Sequence, residues 1–64
     1  MNLVYKKQLY PRGNGKWPDV ITVYVKEGLP HVTFTRNVKE AELFEQGEAE
    51  YLGYILEMEV TRYE

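Results

Sequence analysis

Residues 20–36, VITVYVKEGLPHVTFTR, constrain this chain more than any other stretch, because they hold two β-rich runs separated by a short turn. Ile21, Val23 and Val25 alternate with Thr22 and Tyr24, while Val32 and Phe34 alternate with His31, Thr33 and Thr35. A period of two gives each run one apolar face and one polar or mixed face. Between them, Gly28 is expected at positive φ and Pro30 fixes the entry of the second run, which predicts a hairpin loop of about three to five residues. A lone hairpin is only marginally stable in water, so its apolar face needs a cover. The next segment is expected to supply it as a helix.

The chain has 64 residues, which makes one domain over residues 1–64. A domain of this size buries about 60% of the surface its unfolded chain exposes, and its core stabilises by only a few kcal/mol net. There are no cysteines, so neither a disulfide nor a thiolate zinc site supplements packing. No apolar run approaches the roughly 20 residues that span a bilayer, and Met1 leads into alternating polar residues rather than a basic-then-apolar leader. The expectation is a reducing, cytoplasmic setting without membrane contact.

Charge is divided unevenly. Residues 1–36 hold Lys6, Lys7, Arg12, Lys16, Lys26 and Arg36 against Asp19 and Glu27, a net +4. Residues 37–64 hold Lys39 and Arg62 against eight glutamates, a net −6. Mutual neutralisation and a solvated acidic helix face account for this in one way. A dipolar surface that steers toward a basic partner accounts for it in another.

Residues 3–10, LVYKKQLY, read as a strand, and the paired Lys6 and Lys7 suit an edge, where charge discourages pairing with another molecule. Residues 11–18, PRGNGKWP, are a loop on composition. They lack the Ser/Thr, the spacing and the following helix of a nucleotide-binding loop. Trp17 is expected to close the core, since a small domain needs the area; exposed, it would be a contact residue.

Asn37 followed three residues later by Glu40 has the form of a helix start. Val38, Ala41 and Phe44 then fall at three-residue spacing, and the stripe resumes at Tyr51 and Leu52 after an interruption at Gly47. Glu48 and Glu50, read as near the helix C-terminus, oppose its dipole and hint at a use. Gly53 is expected to stop the helix, and residues 54–63, YILEMEVTRY, to form the last strand. Leu56, Met58 and Val60 then point one way, and Glu57, Glu59, Thr61 and Tyr63 the other. The predicted order is β-β-β-α-β: a small, mainly antiparallel α+β sheet with one helix packed on one face, in two layers. Its core should place Ile21, Val23, Val25, Val32, Phe34, Leu56, Met58 and Val60 against Ala41, Phe44 and Leu52.

Little of this suggests catalysis. His31 is the only histidine and has no carboxylate or nucleophile near it in sequence; serine and cysteine are absent. Glutamate pairs need a concave site before they act as acids, bases or metal ligands, and a two-layer domain this small seldom holds a deep pocket. No enzyme activity, metal or cofactor is expected.

Binding fits better. Six tyrosines and one tryptophan exceed what so small a core can bury, and tyrosine offers large contact area for few rotatable bonds. The candidate contact residues for a larger protein partner are Glu45, Glu48, Glu50, Glu57, Glu59 and Tyr63. The alternative is a single-stranded nucleic-acid binder using Tyr5, Lys6, Lys7, Arg12, Lys16 and Trp17, which interleave basic and aromatic residues. Against it, the glutamates of so small a body repel phosphate over a Debye length of about 8 Å. A homodimer through edge-strand pairing is a third arrangement.

The order strand, strand, helix, strand, the chain length and the tail Glu59-Val60-Thr61-Arg62 resemble the small proteins of T7-like phages that inhibit host RNA polymerase. The likeness covers the tetrapeptide and a common architecture; residues 11–18 have no counterpart there, and the expected helix is longer and broken by Gly47. The resemblance implies a phage or mobile-element accessory protein, an inhibitor or regulator that acts by binding.

Overall fold

Alternation in the N-terminal half produces two nine-residue strands, β1 (Asn2–Tyr10) and β2 (Asp19–Glu27), which pair antiparallel from Tyr5↔Tyr24 to Tyr10↔Asp19. The structure, a computed structural model, describes residues 1–63. A short strand, β3 (Thr33–Thr35), pairs with the base of β2, and β4 (Glu59–Arg62) pairs with the base of β1, both antiparallel. The sheet order is β3-β2-β1-β4, and a single α-helix, α1 (Gln46–Leu56), lies over β1 and β4. This is the two-layer α+β fold that the alternation predicts.

The strand order corrects the edge assignment of the first strand. At its base β1 is internal, and β3 and β4 form the edges. The two lysines nevertheless stay solvated, because β4 pairs with β1 only over residues 2–5 and β3 with β2 only over residues 24–27. Beyond that, residues 6–10 and 19–23 form a two-stranded arm, open on one face and flanked at the base of the other by Phe34, Leu56 and Met58.

The core sits where four strands and the helix coincide. Phe34 pairs with Val25, Val4 with Val60, and these four form one row across the helix-side face. In that row Val25 and Val4 are fully buried, whereas Phe34 is 50% and Val60 36% exposed. The helix rests mainly on β1 and β4, so Phe34 on the far edge stays half exposed, and Val60 keeps the outer side of its chain in solvent. Phe44, Ala49 and Leu52 complete the buried cluster, with Val32, Leu56 and Met58 partly buried around it.

The expected core is therefore half right. Val25, Phe44 and Leu52 are central, and Val32, Leu56 and Met58 are peripheral. Phe34 and Val60 are exposed, and Ile21, Val23 and Ala41 are only half-buried. Val4, Leu3 and Ala49 are buried in addition. Trp17 does not close the core: it is 88% exposed on the loop that joins β1 to β2.

The helix is displaced from its expected place. Asn37 does cap a helical start, its Oδ1 accepting from the Lys39 N–H at 3.0 Å, but the start yields only one 3-10 turn, Val38–Glu40. The Glu40 carboxylate accepts from the Thr35 hydroxyl at 2.8 Å instead of reaching back to the cap. The chain then runs extended, because its backbone is claimed by the sheet. The Glu42 N–H donates to the Val25 carbonyl at 3.2 Å, and Phe44 and Asn2 exchange two N–H···O bonds of 2.8 Å. Phe44 thereby takes the place beside β1 beyond Tyr5↔Tyr24, where the pairing of β1 with β2 stops. Gly28 makes room for it: a Cβ there would lie 2.9 Å from the Phe44 ring, so close approach rather than positive φ requires this glycine.

Gly53, expected as the stop, lies inside α1 and is buried. A Cβ on it would meet Val60 Cγ2 at 2.9 Å and the Met58 carbonyl oxygen at 3.0 Å, so its absence lets the helix settle on β4. The helix ends at Glu57, in the left-handed region at φ 55°, ψ 44°. The Met58 N–H donates to Gly53 O at 2.9 Å and the Glu57 N–H to Tyr54 O at 3.4 Å, the paired bonds of a Schellman cap. Tyr54, Ile55 and Leu56 thus belong to the helix, and the last strand is only four residues long.

Candidate functional site

Two surfaces hold the residues singled out by sequence, and strand parity decides how each is divided. Glu45 is the N-cap of α1 without a side-chain cap bond, and Glu48 lies in the first turn. Both therefore stand at the positive end of the helix dipole, where a carboxylate is favourable; the expectation that Glu48 and Glu50 oppose the dipole is reversed for Glu48, and Glu50 falls in the second turn rather than near the C-terminus. Glu45 and Glu48 share an open recess of about 630 Å³ with Glu27, Glu42 and His31, bordered by Leu29, Leu43 and Met1. His31, isolated in sequence, thus lies among carboxylates in space.

Glu50 accepts a hydrogen bond from Gln46 Nε2 at 3.1 Å and projects from the exposed side of α1. Next to it are three large side chains outside the set of candidates drawn from sequence: Tyr51, Tyr54 and Ile55, 55%, 84% and 41% exposed. Ala49, Leu52, Gly53 and Leu56 occupy the sheet-facing stripe, so the offset stripe of Glu50, Tyr51 and Tyr54 has to face water. Three- and four-residue spacing carries the signal, and assigning residues 54 and 55 to a strand conceals it.

The remaining acidic candidates are scattered. Glu57 is the left-handed cap residue of α1, so it does not continue a strand row with Glu59. Glu59 lies opposite Tyr5 on the sheet face away from the helix, and Tyr63 follows β4, its N–H donating to the Met1 carbonyl at 3.0 Å.

The basic and aromatic candidates lie along the β1–β2 arm. Tyr5 and Lys7 share the open face, where the Tyr5 ring stands 6.4 Å from that of Tyr24. Lys6 is on the other face, in a cleft of about 370 Å³ with Gln8, Tyr10, Val23, Phe34, Leu56 and Met58. Arg12, Lys16 and Trp17 meet at the tip, where Arg12 is 3.8 Å from Asp19. Arg36, which no sequence pattern links to this group, places its guanidinium over the Tyr10 ring at 5.8 Å.

No polar or charged residue among those described is buried. These surfaces therefore offer a ligand exposed charge and aromatic area rather than an enclosed chamber. No helix of the described residues is long and apolar enough to cross a membrane. No protein-family model matches the chain, and comparison with curated proteins and with solved structures finds no match either.

Proposed function

We propose that the protein is a non-enzymatic interaction module, a small cytoplasmic inhibitor or regulator of the kind that phages and mobile elements encode, which binds a larger protein through the acidic, tyrosine-rich face of α1. The observation that carries this reading is the exposure of Tyr51, Tyr54 and Ile55 side by side, with Glu48 and Glu50 among them. Large side chains that packing does not use, on a rigid helix, give contact area at low entropic cost. The glutamates at the head of the helix and in the adjoining recess add steering toward a basic surface. The family resemblance of the Glu59–Arg62 tail agrees with an inhibitory role.

The test compares capture of a partner from host lysate by the wild-type protein and by the Tyr51→Ala/Tyr54→Ala double variant. Both positions are exposed on a helix, so alanine leaves stability within about 0.5 kcal/mol and favours the helix slightly. The captured partner should be lost or weakened by more than about 1 kcal/mol in affinity. Equal affinity for both proteins rejects this face as the contact. Changing Glu45, Glu48 and Glu50 to Gln should slow association and reduce its dependence on salt.

A further inference from the structure

The sheet tapers from four strands to two. Residues 6–10 of β1 and 19–23 of β2 continue alone for about 17 Å at the usual strand rise, and the loop 11–18 extends farther, giving a molecule 42 Å long and only 23 Å by 18 Å across. Within residues 6–23, Lys6, Lys7, Arg12 and Lys16 stand against Asp19 alone, a net +3. Among the described residues no carboxylate pairs with Lys6, Lys7 or Lys16. At the tip, Gly13, Asn14 and Gly15 all take left-handed φ of 76°, 50° and 72°, and the Lys16 N–H closes the turn onto the Gly13 carbonyl at 3.0 Å. This tight turn sets Trp17 outward, and nothing in the fold covers its ring.

We infer that this arm is a grip for single-stranded nucleic acid, independent of the α1 face: Trp17 and Tyr10 stack on unpaired bases, and Lys6, Arg12, Lys16 and Arg36 take the phosphates. Tyr10 already carries the Arg36 guanidinium over one ring face, which brings a phosphate-binding charge beside a stacking surface. For Arg12, Lys16 and Trp17 at the tip, distance along the arm weakens the repulsion by the glutamates of the base. The sheet glutamate nearest the tip along β1, Glu59, pairs with Tyr5, five residues before Tyr10. That is about 17 Å from the loop, some two Debye lengths at physiological salt. The acidic recess lies at the opposite end of β1, beside Met1 and Glu27. A duplex keeps its bases stacked internally and would engage only the cations, leaving the outward Trp17 without a role; unpaired bases use both.

Trp17 is the single tryptophan of the chain, so its emission reports on the proposed site directly. Titrating the 64-residue protein with oligothymidylate of about 15 nucleotides at about 50 mM salt should quench that emission to saturation at micromolar protein. The affinity should fall with salt at a log–log slope of about −3, as four phosphate contacts to a single strand require. Trp17→Ala, followed by anisotropy of a labelled strand, should weaken binding about 5- to 100-fold while Trp17→Phe retains part of it. The circular dichroism spectrum should be unchanged, since the ring is exposed. The Tyr51→Ala/Tyr54→Ala variant should bind the strand as wild type does, which separates this inference from the proposed protein contact. Absence of quenching overturns it. So does equal binding of a duplex or of polyglutamate that ignores Trp17, since the arm would then be a plain electrostatic patch or a protein contact.

Discussion

Phe44 is the residue on which the two layers depend, and replacing it with alanine tests the fold most directly. Its ring is 2% exposed against Val4, Val25, Ala49 and Leu52, and its backbone is tied to Asn2 by two 2.8 Å bonds that survive the substitution. The loss is one of packing, and a buried Phe→Ala change costs about 3 to 5 kcal/mol. At roughly 0.05 to 0.15 kcal/mol per residue, the whole domain has about 3 to 10 kcal/mol of stability. Phe44→Ala should therefore leave the protein largely unfolded at room temperature or close to it. Phe34→Ala is the control. Phe34 is aromatic and in the same helix-side row as Val25, yet half exposed. About half the transfer free energy of a phenylalanine, near 1 kcal/mol, is at stake there and no closed cavity forms. Its melting temperature should drop by only about 4 to 8 °C. Urea titrations of both variants followed by far-ultraviolet circular dichroism give the comparison. If Phe34→Ala is the more destabilising, the β2–β3 register and the placement of the helix are wrong.

Two further predictions concern the helix. Glu57 holds a left-handed conformation that costs an L-residue about 1 to 2 kcal/mol, so Glu57→Gly should raise stability by about 0.5 to 1 kcal/mol despite glycine's greater unfolded-state freedom; a lower melting temperature would contradict the cap. Gly47 and Gly53 should respond to alanine in opposite directions. A Cβ at Gly47 meets nothing within 4 Å, so Gly47→Ala should gain up to about 1 kcal/mol from helix propensity. Gly53→Ala drives its methyl into Val60 and the Met58 carbonyl and should lose about 1 to 3 kcal/mol. A stabilised Gly53→Ala variant would mean that the helix does not rest on β4.

How far the sequence discloses this fold depends on which interactions set each element. Alternation in residues 20–26 reports which face is buried, a local property, and with the strand character of residues 3–10 it leads to the correct fold class. The helix boundaries depend on distant partners. Val38, Ala41 and Phe44 have helical spacing, but Val25 and Asn2 take up the backbone of Glu42 and Phe44, and no local pattern records that. Gly53 has the composition of a stop, and only the approach of Val60 explains why a glycine stands in the helix instead. Lys6 and Lys7 are solvated, as their charge implies, although the cause is the narrowing of the sheet rather than an edge position. The candidate acidic residues are visible as a group, yet Glu57 and Glu59 fall on different elements and Tyr51 and Tyr54 emerge only once the helix is correctly bounded. Trp17 stays outside the core on the β1–β2 loop, while Val4 and Ala49 supply burial that the expected core leaves out.

The narrowing of the sheet also grades its resistance to local opening. Near Leu3 and Val4, separating a strand means breaking the β1–β4 ladder and the Asn2–Phe44 bonds and exposing the buried cluster, so amide exchange there should require global unfolding. Toward Leu9 and Tyr10 a single ladder remains with water around it, and fraying from the tip should proceed at a small fraction of that free energy. The chain therefore joins a cooperative base to a compliant finger, which can bend and re-form around a ligand while the folded body stays intact.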